Sequence, residues 1–265
     1  MSEAIKPEIM SDIPERVVVI AAHADDIEFG VAGTTSLWTQ AGAEVTYVLV
    51  TDSSSGSNDP DVNPADLIEQ RHREQIVSAA EVGVKDVRFL GYPDGTLQPT
   101  LELRRDLTRI LREKRPDVVV TMDPTMIIAR SGNYINHPDH RAAGEAAMYA
   151  VFPSSETRPI FPELLDEGYE PHKVKRVYLM LTNEPTHVTD ISNSFEQKAA
   201  ALRHHESQFG DETDRIIEMI GNWNAEAGEP HGIAYAESFR VLILQREESP
   251  ESEETAAEAA DSPQD

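Results

Sequence analysis

The sequence predicts an α/β fold: a Rossmann-like, mostly parallel sheet with helices on both faces, in a single domain whose C-terminal part is less regular. Two observations carry this. Strand-like apolar runs alternate with stretches of helical spacing through the first half of the chain, the pattern of a parallel sheet wound with crossover helices. Polar loops follow the strands, and the C-terminal ends of the strands are where an open parallel sheet binds its ligands. With 265 residues the chain can bury one sizeable core, and a second full domain would be cramped.

The first strand is expected at 16–22, "RVVVIAA", running straight into "HADDIEFG". Helical spacing follows over 29–40, then a strand at 44–51 ("EVTYVLVT"), a helix at 64–82, a strand at 87–90 ("VRFL"), a helix at 101–114 and a strand at 117–122 ("DVVVTM"). Beyond Pro124 the regularity weakens. A loop rich in Gly, Asn and Pro leads into a helix from 138 to about 152; "KVKRVYLML" at 173–181 reads as a strand, 193–207 as an exposed helix and "SFRVLIL" at 238–244 as a last strand. No repeat or linker divides residues 1–246, which are expected to form the domain. Residues 247–265 hold eight acids, no base and almost no large apolar side chain, and read as an acidic disordered tail.

Composition narrows the function classes. The chain has no cysteine, so thiol nucleophiles and cysteine-held zinc are excluded, and any metal must be held by His, Asp or Glu. The N-terminus lacks a basic segment followed by an apolar one, and no apolar stretch approaches the ~20 residues that span a bilayer; a cytoplasmic protein is expected. The net charge is −25, and removing the eight acids of the tail leaves −17. Such a field repels nucleic acid and anionic membranes, and neither is expected as a partner.

Against this background the "HADDIEFG" turn is unusual, because carboxylates at the edge of a core are costly unless compensated. A bound cation is one compensation. His23 and Asp26 stand three apart with Asp25 between them, and far downstream "NHPDHRAAG" sets His137 and His140 three apart. Pro138 suits the first turn of a helix, and i, i+3 neighbours in that turn share a side. Two His and one carboxylate suffice for a catalytic zinc that keeps a position open. Each motif alone also reads as ordinary helix-start chemistry; together, on one rim of a cysteine-free chain, they favour a metal. Spacing leaves open which of Asp25 and Asp26 would bind it.

"AHADDIEFGVAGT" resembles the first metal motif of the PIG-L/LmbE-like zinc-dependent N-acetylglucosaminyl de-N-acetylases, and "HPDHRAAG" resembles the second. The resemblance continues through "RHREQIVSAAEVGVKDVRFLGYPDG", "KAAALRHHESQFG" and "YAESFR", covering roughly residues 16–244. It implies one Zn2+ per chain held by His23, Asp26 and His140, Asp25 as general base, and His137 as the group that stabilises the oxyanion or protonates the departing amine. It also implies substrate contacts from Arg71, supported by Glu74, and from Asp94, and it gives His205, Ser207 and Gln208 a part in shaping the site. Asp139 is open between orienting a histidine and capping the helix. The departure is Ala24, where the family usually has Pro; a looser turn is expected there.

The activity implied is hydrolytic removal of an acetyl group from an N-acetylglucosaminyl conjugate or similar N-acyl amine, with an N-acetylated sugar conjugate as the small-molecule partner. Related enzymes often assemble, so a homo-oligomer is compatible with the resemblance. One alternative keeps the same site, an amidase of thiol-sugar conjugates; another of a different kind is a non-catalytic metal-binding or interaction protein with the acidic tail as its contact segment, against which the presence of both Asp25 and His137 argues. A nucleotide-binding Rossmann enzyme fails on residues, since the first strand is not followed by Gly-x-Gly-x-x-Gly.

Overall fold

The computed structural model describes residues 6–245; the expected acidic tail lies outside the described residues. In chain order the strands are β1 (Glu8–Met10), β2 (Arg16–Ala21), β3 (Glu44–Thr51), β4 (Asp86–Tyr92), β5 (Val118–Met122), β6 (Arg176–Met180), β7 (His187–Asp190) and β8 (Ala236–Ile243). The α-helices are α1 (Asp26–Gly30), α2 (Ala32–Gln40), α3 (Pro64–Glu81), α4 (Leu101–Lys114), α5 (Pro138–Tyr149), α6 (Glu163–Asp166), α7 (Phe195–Arg203), α8 (Glu206–Phe209) and α9 (Thr213–Gly228). Among the described residues no helix is long and apolar enough to cross a membrane.

The strands form one sheet in the order β1-β7-β8-β6-β5-β2-β3-β4. Every pairing is parallel except those of β8, which runs antiparallel to both β6 and β7. The β-branched run Val17–Ile20 is buried on β2 and faces the equally buried Val118–Val120 of β5, the composition of central strands covered on both faces. From β2 the chain winds outward through β3 to β4, then returns to the other side of β2 for β5 and β6. The order of strands therefore reverses between β2 and β5, and a crevice opens above their carboxyl ends.

Helices α4 and α5 pack on each other and on β2, while α2 and α3 pack against α7; right-handed crossovers on either side of the reversal put these groups on opposite faces. Helix α5 lies so close to β5 that a Cβ on Gly144 would sit 2.3 Å from the Met122 carbonyl. That approach brings the first turn of α5, with His137 and His140, over the crevice.

The α/β architecture agrees with the sequence reading, and three details differ. The helix expected over 29–40 starts earlier and breaks at Val31, because the carboxylate of Glu237 on β8 accepts from the N–H groups of Gly33 (3.0 Å) and Thr34 (2.8 Å) and caps α2 from outside. The helix expected to be exposed, α7, buries Phe195, Lys198, Ala199, Ala201 and Leu202. Its Lys198 ammonium donates to Glu237 at 2.6 Å and to the Phe29 carbonyl at 3.0 Å, so a charged residue reads as surface in sequence but is core in space. The short β1 and β7 and the long α9 had no expectation attached to them; α9 carries its apolar residues on one side and leaves Trp223 half exposed.

Candidate active site

Strand β2 ends at the crevice, and the next residues turn sharply into α1. The His23 N–H donates to Asp26 Oδ2 at 2.7 Å, which folds the Asp26 carboxylate back over the turn. From there Asp26 meets two imidazoles: Oδ2 lies 3.3 Å from His23 Nδ1, and Oδ1 lies 3.1 Å from His140 Nε2. The residues expected as ligands from opposite halves of the chain thus converge. One ligand atom from each of His23, His137 and His140 also lies within 4.8 Å of the others, and the same holds for His23, Asp94, His137 and Asp139.

The outer partners of these rings fix which nitrogens face inward. Asn136 donates its amide Nδ2 to the Met126 carbonyl (2.8 Å), which leaves its Oδ1 to accept from His140 Nδ1 (2.9 Å). His140 then turns an Nε2 lone pair toward Asp26. On His23, Nε2 lies 3.0 Å from Asp94 Oδ1 and 3.3 Å from Asp139 Oδ2, so Nδ1 is the nitrogen left facing Asp26. With both rings neutral, two lone pairs and a carboxylate point at one another, an arrangement that could hold a cation.

The electrostatics agree. Burial works against a charge on His23, yet Asp26, Asp139 and Asp94 hold its pKa up at about 12. Burial likewise opposes ionisation of Asp26, but His140 and His23 bring its pKa well below the carboxylate range. A proton on His23 neutralises only one of the surrounding carboxylates. Two imidazole nitrogens and a carboxylate oxygen are the donor set of a hydrolytic zinc site, so the residues fit a divalent cation better than they fit a proton.

Asp25 is held differently from its neighbour. Its backbone is left-handed, φ +93°, and its side chain makes no helix-capping bond. Its N–H donates to Gln75 Oε1 at 3.0 Å, and one carboxylate oxygen, Oδ2, lies 3.3 Å from an Arg71 guanidinium nitrogen. Burial pushes its carboxyl up to about 6, against the pull of Arg71. Arg71, expected at the sugar or aglycone, is buried, and its guanidinium also donates to the carbonyls of Ala24 (2.7 Å) and Ser53 (3.1 Å).

His137 stands at the mouth, its side chain 39% exposed against 12% for His140. Its Nδ1 accepts the Asp139 N–H at 3.2 Å and so caps α5. An accepting Nδ1 has no proton, so the proton of neutral His137 is on Nε2. Burial, and then the charge on His23, lower its pKa. Asp139, left open between two roles, is fully buried and reaches beyond its own helix: it accepts the N–H groups of Gly95 (2.7 Å) and Leu97 (3.1 Å) as well as facing His23. It fixes the "YPDG" loop to the histidine. Asp94 in that loop uses its second oxygen to accept the Ser55 N–H at 2.9 Å.

Other expectations land as follows. Glu74 reaches α8, not Arg71: it accepts the Ser207 N–H at 2.9 Å and the Ser207 hydroxyl at 2.5 Å. Gln208 packs with Arg71 against Gly56, where any Cβ would lie 2.6 Å from the guanidinium. The turn at Ala24 is not loose, because its N–H donates to Ser53 Oγ at 3.0 Å, a bond that proline could not make. Sequence reasoning missed Asn136, Gln75 and Ser53. Only Asn136 carried a signal, its place directly before the "HPDH" histidines; Gln75 and Ser53 act across 50 and 29 residues.

A doubly wound sheet with a His/Asp cluster that could hold a cation at its carboxyl rim, and an independently held carboxylate beside it, fits a class: the metal-dependent hydrolases of α/β architecture. The chain belongs to the PIG-L family, hydrolases acting on amide bonds, with residues 18–151 matching the family described as GlcNAc-PI de-N-acetylase. A diacetylchitobiose deacetylase of Thermococcus kodakarensis is 33% identical over 233 residues, covering 86% of this chain and 83% of its own. A 1D-myo-inositol 2-acetamido-2-deoxy-alpha-D-glucopyranoside deacetylase of Kineococcus radiotolerans is 26% identical over 292 residues, covering 87% and 78%. The solved N,N'-diacetylchitobiose deacetylase of Pyrococcus horikoshii superposes with a TM-score of 0.80 at 33% identity, over 87% of this chain and 84% of that one.

Proposed function

We propose that this chain removes the acetyl group from an N-acetylglucosaminyl conjugate, with one zinc ion held by His23, Asp26 and His140 and with Asp25 as general base. The observation that carries the reading is the contrast between the two adjacent aspartates: Asp26 is engaged by two imidazoles, while Asp25 keeps an oxygen free of the Arg71 contact. The similarity to sugar deacetylases supports the substrate class.

An acetamide is a poor electrophile with a poor leaving group. Bound at this site, zinc supplies a Lewis acid toward the carbonyl and makes water more acidic. Asp25 takes a proton from the attacking water at its free oxygen, a contribution of typically ~10²–10⁴-fold. His137 presents Nε2–H from the mouth, a fixed donor for the oxyanion as charge develops. In the neutral form its Nδ1 is committed to the Asp139 N–H, so the amine draws its proton back from Asp25. Arg71 holds the Asp25 carboxylate and the Ala24 carbonyl in place, and Asp94 is positioned beside His23 to meet sugar hydroxyls.

The test is primary-amine release by zinc-loaded protein from a panel of N-acetylglucosamine conjugates, with Asp25→Ala alongside. Release by the wild type that collapses in the variant is expected. Silence across the panel with zinc bound would overturn the deacetylase reading.

A further inference from the structure

We infer that Gln75, together with the buried pair Glu28 and His205, is a positioning device that sets the backbone of Asp25 and so aims its carboxylate. The inference rests on the reading of Asp25 as general base, and it concerns residues that touch neither the cation site nor the mouth.

The need for such a device comes from the turn. A non-glycine residue at φ +93° is strained by about 1–3 kcal/mol and persists only where its surroundings over-determine it. Asp25 cannot hold itself there through its own side chain, which makes no capping bond. Its N–H is taken instead by the side-chain oxygen of Gln75, fully buried on α3, at 3.0 Å.

A glutamine amide can point either way, so one bond to its oxygen would fix nothing by itself. Here the other end decides. Gln75 Nε2 donates to Glu28 Oε1 at 2.9 Å, and a carboxylate only accepts. Turned over, the amide would set oxygen against oxygen at Glu28 and N–H against N–H at Asp25. Glu28 is the part that makes the orientation unique.

Glu28 is fully buried too, and a buried carboxylate must be compensated. The Ser78 hydroxyl donates to Oε1 at 2.6 Å, and His205 Nε2 lies 3.3 Å from Oε2, at ion-pair distance. His205 is itself fully buried. Burial works against its charge, and Glu28 holds its pKa up. A buried pair contributes little net stability over an apolar replacement, yet this one sets a charge beside Glu28 at ion-pair distance, and from Glu28 two hydrogen bonds lead through Gln75 to the residue that handles the proton. That makes it intelligible as orientation.

The test is a double-mutant cycle of Gln75→Leu and Asp25→Asn, read as kcat, KM and zinc bound per chain. Gln75→Leu is expected to lower kcat by roughly 10- to 100-fold, the scale of a small misplacement of a catalytic group, with KM and bound zinc within about twofold. In the Asp25→Asn background the same change is expected to cost nothing further, since its effect runs through Asp25. The exchange Glu28→Gln with Gln75→Glu swaps the amide and the carboxylate: one oxygen of the relocated carboxylate again accepts from Asp25, and the other accepts from the relocated amide. It is expected to recover most of the lost kcat, and it also serves if Gln75→Leu fails to fold. An unchanged kcat in Gln75→Leu, an equal loss in both backgrounds, or an exchange pair no better than Gln75→Leu would overturn the inference. Full activity in Asp25→Asn would instead overturn the general-base reading itself.

Discussion

At the amino ends of the strands, acids and bases are matched and wet. Asp86 meets Arg88 at 2.7 Å and Lys114 at 2.6 Å, Glu113 meets Arg88 at 3.0 Å, and Asp117, itself buried, meets the exposed Lys175 at 3.0 Å. At the carboxyl ends, Asp26, Asp94 and Asp139 crowd around His23 and His140, and Arg71 meets only the neighbouring Asp25. The foot of the sheet is arranged so that each charge has a partner and each pair reaches solvent. The rim is left short of positive charge, which a fold seeking only stability has no reason to do. A third place separates imbalance from burial: Lys198 and Glu237 are as buried as the rim, yet matched one to one at 2.6 Å.

The comparison can be broken first at the rim. Asp25→Ala should lower kcat by roughly 10²–10⁴-fold while leaving thermal stability near that of the wild type, because it removes a strained, half-compensated group. Steady-state kinetics and a melting curve on the same preparation check both halves. Next comes the buried matched pair. Lys198→Met strands Glu237 without its counter-charge and should cost about 3–5 kcal/mol in urea unfolding, with no change in zinc stoichiometry in the protein that remains folded.

A smaller effect separates the two ends by their response to metal. Zinc at a hundred times its dissociation constant should stabilise the folded chain by about 2.7 kcal/mol, and a chelator should remove that gain. Asp26→Asn should abolish the response, whereas Asp86→Asn should leave it intact.

The smallest effect lies at the foot. Burial raises the Asp86 carboxyl, but Arg88 and Lys114 bring it down to about 2. A depressed folded-state pKa stabilises above the unfolded value, near 4, and the gain is lost as pH falls through about 2. Asp86→Asn should therefore cost about 1 kcal/mol or less at pH 7, as exposed pairs do, and the difference from wild type should shrink between pH 4 and pH 2. A difference that grew on acidification would contradict the assignment.

The parts of this molecule legible in sequence are those whose determinants are local. The β-branched run at Val17–Ile20, the amphipathic α4 and the Pro138 start of α5 each signal their element within a few residues. The two candidate metal motifs were readable for the same reason, each being compact in the chain, although the proposed choice between Asp25 and Asp26 needed the family resemblance. What escaped depends on distant partners. The break at Val31 is made by Glu237, two hundred residues away; the burial of α7 depends on Lys198 finding that same carboxylate; and Ala24 looked permissive because its bond to Ser53 joins two loops. Gln75 is the clearest case: in sequence it is an ordinary polar residue on a helix, and in space it holds the backbone of Asp25.

The central claim is the division of labour between the adjacent aspartates, and zinc binding measures it most directly. Calorimetric titration of metal-free wild type, Asp25→Asn and Asp26→Asn should give one zinc per chain in the first two, with similar affinity, and a loss of binding in the third. Zinc retained by Asp26→Asn but lost from Asp25→Asn would exchange the two roles, and no stoichiometric zinc in the wild type would contradict the account altogether.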